Sequence, residues 1–175
     1  FALPVSICNA LWQPSLPYLA VVQKADICLA LFNSSQGSMG REFSNIESWG
    51  IINKFYPRIF GIYNICVNRV GEEAWKEKRS VLAAETATTR TGDAVSSSLQ
   101  EEVFHFWGGS EIVNPYGKTI VKAPLYEPDM ISAEISRNLL RQKRILLPYL
   151  RGNDPYFTHR ELQRILFDKP QFDVS

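Results

Sequence analysis

Residues 4–33 read strand, helix, strand, and few folds accept that order in so short a span. "PVSIC" is a short apolar run entered from Pro4, a residue tolerated at the first position or edge of a strand because it has no N–H to donate to the ladder. Cys8 is its last residue. "PSLPYLAVVQK" places Leu16, Leu19, Ala20 and Gln23 at helical spacing, with Pro14 and Pro17 confined to the opening turn, where missing N–H groups cost little. "ADICLALFN" is an unbroken apolar run of strand length, the pattern of a strand covered on both faces. The unit predicts a parallel pair joined by a right-handed crossover, and so an α/β fold.

Downstream, "REFSNIESWGIINKFYPRIFG" carries Phe43, Ile46, Trp49, Ile52, Phe55 or Tyr56, and Ile59 at three- and four-residue steps, which predicts a helix ending near Gly61. Pro57 lies inside it, and an interior proline costs about 3 kcal/mol, so a kink or boundary is expected there. "IYNICVNRV" reads as the next strand, and "SEIVNPYGKTIVKAP" as a hairpin turning at "NPYG". "MISAEIS" alternates as a final strand should, and "RNLLRQKRILLPYL" reads as a helix stopped by Pro148. The basic cluster Arg141, Lys143, Arg144 reads as its solvated face. Residues 76–102 have no sustained period and are rich in Ser, Thr and Ala, a composition that points to a disordered insertion. Residues 151–175 read as a C-terminal tail that folds back or meets a partner chain, after a main unit over 1–150.

Charge removes several function classes. Nineteen basic against eighteen acidic residues leave +1, too little to favour nucleic acid or an anionic membrane surface. No apolar run approaches the about 20 residues that cross a bilayer, so the chain is expected to be soluble. Phe1 is not an initiator Met and no signal-peptide pattern follows it, which points to a fragment or processed chain. The cysteines are three, far apart and each in an apolar run, an arrangement that argues against a disulfide framework and for a reducing, cytoplasmic setting. His105 and His159 stand alone and no CxxC or HExxH spacing occurs, so a metal site is not expected.

The residue types leave Cys8 with two readings. A cysteine closing an apolar run is usually a small buried hydrophobe, as Cys28 and Cys66 should be. At the carboxyl end of a parallel strand, however, a side chain stands where open α/β sheets hold their ligands, and a following helix turns its N–H groups toward it. Such a setting favours the thiolate, the form that attacks. Trp49, Phe55 and Trp107 read as core or interface aromatics, whereas Trp12, four residues past Cys8, stands at the mouth of the same pocket. Asn33, Ser34 and Ser35 follow the second strand and could border it, or could equally serve as turn formers and a helix cap.

Taken together, "ICNALWQPSLPYLAVVQKADICLALFNSS", "YNICVNRVGEE", "FWGGSEIVNPYGKTIVKAP" and "SAEISRNLLRQKRILLPYLR" resemble, in order, four segments of the nitrilase or carbon-nitrogen hydrolase superfamily, on its amidase-like branch. The resemblance implies a four-layer α-β-β-α sandwich, here without its N-terminal part, and a cofactor-free hydrolase of non-peptide carbon-nitrogen bonds. It implies Cys8 as the nucleophile on a small amide or nitrile, with the backbone N–H of Asn9 as oxyanion donor. Trp12, Asn33 and Ser34 would then contact substrate, and a homo-oligomer is implied. The family's glutamate and lysine lie well upstream of its cysteine, and only seven residues precede Cys8. Lys24 and Glu42 sit in no matching segment. Pro4 and Lys24 stand where glycines are usual, and Asn9 and Ala10 replace the customary residues after the nucleophile. These departures imply an isolated chain without activity, or a degenerate, non-catalytic module retained for binding or assembly.

Overall fold

A computed structural model describes residues 1–36, 45–76 and 101–167 of the 175-residue chain. In chain order the strands are β1 Val5–Ile7, β2 Ile27–Phe32, β3 Ser35–Gln36, β4 Tyr63–Asn68, β5 Val70–Lys76, β6 Glu101–Trp107, β7 Glu111–Val113 and β8 Thr119–Lys122. The helices are α1 Ser15–Val22, α2 Asn45–Phe60, α3 Arg137–Leu146 and α4 Pro155–Phe167, with a 3-10 helix over Cys8–Trp12. One five-stranded sheet has the order β1-β2-β4-β7-β8 and a three-stranded sheet the order β3-β6-β5. β1, β2 and β4 are mutually parallel, so the expected strand, helix, strand unit forms, and α2 makes a second crossover from the β2 side to β4. β7 and β8 run antiparallel beside them.

The core lies between the five-stranded sheet and its first two helices. Cys28, Ala30 and Phe32 of β2 and Cys66 of β4 pack there with Val21 of α1 and with Trp49 and Tyr56 of α2. α2 runs unbroken through Pro57 to Phe60, where a boundary or kink was expected. Proline deprives the Asn53 carbonyl of its helical donor. The Asn64 side-chain amide on β4 supplies a substitute at 3.2 Å, so the helix continues to Gly61, which takes the left-handed φ of 64° that ends it. The "NPYG" turn forms as expected: Gly117 N–H donates to the Asn114 carbonyl at 2.8 Å, and Asn114 Oδ1 accepts from the N–H groups of Tyr116 and Lys118. Gly117 is required there, because an added Cβ would lie 2.9 Å from both Arg58 Cβ and the Lys54 carbonyl.

Several expectations are corrected. α1 turns Pro17 and Val21 inward and leaves Leu16 and Leu19 exposed. A helix apolar around most of its circumference does not fix its own buried side. β2 is not covered on both faces, since Leu31 is exposed. Residues 130–136 form no strand: the burial alternates as the sequence does, but Ser136 bonds through its N–H and carbonyl to the Tyr63 hydroxyl rather than to a sheet edge. An alternating pattern fixes which side chains share a side, and a ladder additionally needs a partner edge.

Of the basic cluster on α3, Arg141 is exposed as expected, but Lys143 and Arg144 are not on a solvated face. Lys143 is only 1% exposed, and its Nζ lies 5.4 Å and 5.2 Å from the ring centres of Tyr116 and Tyr149. Burial lowers its ammonium pKa, and the Arg58 charge adds to the effect. Arg144 pairs with Asp26 at 2.9 Å and donates to the Ala25 carbonyl, fastening α3 to the start of β2. Of the expected insertion, Lys76 ends β5 and Glu101–Glu102 begin β6, while residues 77–100 lie outside the described residues. Within the tail, residues 155–167 form α4, capped by Asp154 Oδ1 accepting from the N–H groups of Tyr156 and Phe157, and no residue of α4 is buried, while residues 168–175 lie outside the described residues. No helix among the described residues is long and apolar enough to cross a membrane.

Candidate active site

Because β1, β2 and β4 are parallel, their carboxyl ends share one rim of the sheet. Residues at or just past those ends therefore meet there: Cys8 and the 3-10 helix after β1, Asn33 and Ser34 after β2, and Asn68 at the end of β4. Cys8 is not the last strand residue, as expected, but the first of the 3-10 helix. Its φ of 38° is left-handed, a conformation an L side chain rarely adopts. Such a backbone persists only where the surroundings hold it. Tyr56 is one such restraint, its hydroxyl donating to the Leu11 carbonyl at 2.9 Å.

Cys8 is half-buried and borders a cavity of about 390 Å³. The expected site residues Asn9, Trp12, Asn33 and Ser34 line the same cavity. Ser35, Gln13, Asn45 and Trp49 complete the wall. Trp49 stacks on Phe32 with ring centres 4.2 Å apart and planes 1° apart, and meets Trp12 edge-on at 5.5 Å. Its indole N–H donates to Ser34 Oγ at 3.1 Å. Trp49 is therefore core and pocket wall at once. Asn45, at the start of α2, donates from Nδ2 to the Ser35 carbonyl at 2.9 Å and so holds the loop after β2.

Asn68 fixes that loop from the other side. Its Oδ1 accepts from Ser34 N–H at 2.9 Å, and its Nδ2 donates to the carbonyls of Ser34 and Gly108. Arg69 points elsewhere, pairing with Glu73 and lying over the Phe106 ring. Sequence periodicity passed over Asn45 because the buried residues of α2 are Asn45, Trp49, Asn53, Tyr56 and Pro57, and two of the five are polar. The signal was present as asparagines four residues either side of Trp49. A helix face that buries amides is committed to bonding with something across the interface.

The other two thiols match their expected burial. Desolvation raises the pKa of Cys28, against a smaller lowering from the Ser6 hydroxyl. Cys66 is raised further, by burial first and then by Glu111 and Cys28. Glu111 is itself buried, accepting from Asn53 Nδ2 at 2.9 Å and from Thr119 Oγ1 at 3.0 Å. His105 lies against Glu72 at 3.0 Å on an exposed strand, and His159 sits on α4, so neither faces Cys8. Among the described residues, no three His, Cys, Asp or Glu side chains are grouped to hold a metal ion.

The sequence model of the carbon-nitrogen hydrolase family matches residues 2–145. No curated protein matches this chain. Among solved structures, a carbon-nitrogen hydrolase from Helicobacter pylori G27 superposes with a TM-score of 0.65 at 21% identity, over 93% of this chain and 49% of that one. A superfamily protein from Xanthomonas campestris, solved with an arsenic adduct in its active site, gives 0.57 at 15% identity, over 87% and 47%. A double mutant of the amidase from Nesterenkonia sp. AN1, in complex with acrylamide, gives 0.58 at 16% identity, over 91% and 44%. The chain thus spans about half the length of the structures it matches.

Proposed function

This chain belongs to the carbon-nitrogen hydrolase family, and from that premise we propose that it carries the nucleophile-bearing part of a cysteine hydrolase acting on a small amide or nitrile. The observation that carries the reading is Cys8 itself, half-buried beside a cavity, on a left-handed turn at the carboxyl end of a parallel strand. In the family's scheme the cysteine thiol gives its proton to the glutamate as its sulfur attacks the amide carbon, and a tetrahedral oxyanion forms. Here the N–H of Asn9, at the start of a 3-10 helix and so without a helical acceptor, is the donor offered to that oxygen. The carbon-nitrogen bond then breaks, the nitrogen leaves as ammonia with a proton delivered by the glutamate, and a thioester remains. Water, deprotonated by the same glutamate, splits the thioester to a carboxylic acid and restores the thiol.

Seven residues precede Cys8, so the upstream glutamate and lysine are not supplied by the 175 residues themselves. Nucleophile, base and charge stabiliser act as a unit, and the 175-residue chain alone is expected to turn nothing over. Ammonia release from simple amides and nitriles tests this, measured on this chain and on the chain extended by its own upstream coding sequence. Release by the extended protein that vanishes with Cys8→Ala supports the reading. Turnover that survives Cys8→Ala, or turnover by the 175 residues alone, overturns it.

Asn9 and Ala10, which follow Cys8 in place of the family's customary residues, favour a second reading, a non-catalytic module kept for assembly through the side of the five-stranded sheet that exposes Val5, Ile7, Leu31 and Val67. Under that reading an extended protein releases no ammonia, and a partner or second copy covers this side.

A further inference from the structure

Resting on the hydrolase reading, we infer that Tyr56 is a positioning residue for the nucleophile: its hydroxyl, bonded to the Leu11 carbonyl, holds the 3-10 helix in the form that presents Cys8 and the Asn9 N–H to the cavity. The need for such a hold starts in the sequence. A 3-10 helix bonds each carbonyl to the N–H three residues on, so the Leu11 carbonyl would turn to residue 14, which is Pro14 and has no N–H. Leu11 is 1% exposed, so water does not replace the missing donor. A buried carbonyl left unbonded is costly, and Tyr56 Oη donates to this one at 2.9 Å.

The donor is itself fixed. The Tyr56 ring stacks on Phe60 with centres 6.0 Å apart and planes 11° apart, and meets Phe55 edge-on at 5.2 Å. Burial raises the phenol pKa, so the hydroxyl keeps the proton it donates. The 3-10 helix is thus held at its start by β1 and at its end by α2. At the start stands the strain, the Cys8 φ of 38°. A residue with a side chain returns to negative φ when released, and rotation at Cys8 swings the sulfur and the Asn9 N–H relative to β1. Asn33, Ser34, Asn45 and Trp49 of the cavity wall belong to other elements and keep their places. The loss therefore falls on the chemical step more than on binding, because a misplacement of about 1 Å can cost about 100-fold in rate.

Tyr56→Phe keeps the ring and removes the hydroxyl. Tyr63→Phe is the matched control, since Tyr63 is also 1% exposed and its hydroxyl bonds the Ser136 carbonyl, on the α3 side of the sheet. Iodoacetamide probes Cys8 on the 175-residue chain: the thiol proton goes to solvent, the thiolate attacks the methylene carbon, a C–S bond forms, the C–I bond breaks and iodide leaves. Rates at Cys8 are located by peptide mapping. We expect Tyr56→Phe to label about tenfold more slowly than the parent, and Tyr63→Phe to stay within about twofold. On the chain extended by its upstream coding sequence, ammonia release by Tyr56→Phe should lose about tenfold or more in kcat with KM within about threefold. Labelling of Tyr56→Phe at the parent rate overturns the inference, with the hydrolase reading standing. Equal slowing by both substitutions overturns it too, since general loss of stability then explains the effect, and so does a loss that falls on KM alone. If Tyr56→Phe does not fold in buffer, the comparison is made in sucrose, which favours the compact state. A variant that folds in neither shows a hydroxyl that the whole core needs, and the inference fails. If the extended parent releases no ammonia while Tyr56→Phe still slows labelling, the hydrolase reading falls and the hold of Tyr56 on Cys8 stands.

Discussion

On the α2 side of the five-stranded sheet, Cys28, Ala30, Phe32 and Cys66 are 4, 1, 7 and 1% exposed, whereas on the opposite side Val5, Ile7, Leu31 and Val67 are 57, 72, 40 and 43% exposed. β2 and β4 contribute to both sets and β1 to the second, and the apolar character of both is the same. The register brings the second set into line, Val5 beside Leu29 and Ile65, Ile7 beside Leu31 and Val67. α3 covers only the amino-terminal end of that side, where Leu140 packs with Ile27 and Tyr63. A sheet face can therefore be composed as an interior without being one in this chain. Fold stability should reside on the α2 side, and the bare side should tolerate change.

Trp49→Ala is the severest test of that division. It removes the stack on Phe32, the edge contact with Trp12 and the bond to Ser34 Oγ together. A loss of about 3–5 kcal/mol is expected in urea unfolding, as for other large aromatic truncations in cores. A loss under about 1 kcal/mol would mean that the α2 side is not where the stability lies.

Asn53→Ala should follow at about 2–3 kcal/mol, because among the described residues it leaves the buried Glu111 carboxylate with only the Thr119 hydroxyl as side-chain donor. Asn53→Ala and Glu111→Gln made together, compared with each alone, isolate the coupling between them. Additive losses would show that the two groups do not depend on one another across the helix-sheet boundary.

A smaller effect, confined to alkaline solution, separates the buried thiols from the rest. The folded pKa of Cys66 lies above the ordinary thiol value of 9.0, because burial opposes ionisation. The unfolded chain therefore loses that proton first, and stability is unaffected below 9.0 and falls as pH rises from there toward the folded value. Cys28 contributes in the same direction. Between about pH 8 and pH 10 the urea midpoint of Cys66→Ala should decline less than that of the parent chain. Parallel declines would mean that Cys66 is ionised in the folded protein.

The parts of this division that the sequence made legible are the ones that local pattern controls. The parallel pair, the hairpin at "NPYG" and α3 follow from apolar periodicity, turn residues and the stop before Pro148, all encoded within a few positions. The site was legible where it depends on strand ends, which is why Cys8, Trp12, Asn33 and Ser34 meet at one cavity. What escaped depends on distant partners. Pro57 does not break its helix because Asn64 caps the orphaned carbonyl, and Lys143 is buried because Tyr116 and Tyr149 receive it. Asn64 and Tyr149 lie beyond the ends of the helices they serve and Tyr116 lies in the hairpin turn, so no pattern within α2 or α3 contains them. The exposure of Ile7 is of the same kind, since apolar character records a preference for burial and not its fulfilment.

Ile7→Ser should therefore have the smallest effect. The side chain is 72% exposed, so its replacement removes little buried surface, and a change within about 0.5 kcal/mol is expected for the isolated chain. The same substitution also measures whether the side is bare in solution. If a second copy covers Val5, Ile7, Leu31 and Val67, unfolding midpoints of the parent chain will rise with protein concentration, as mass action requires. Ile7→Ser would then cost well over 1 kcal/mol and abolish the concentration dependence, because a hydroxyl would be buried against an apolar surface without a partner. A large loss with no concentration dependence would break the comparison outright: some part of this same chain would have to cover Ile7, and the two sides of the sheet would no longer differ in kind.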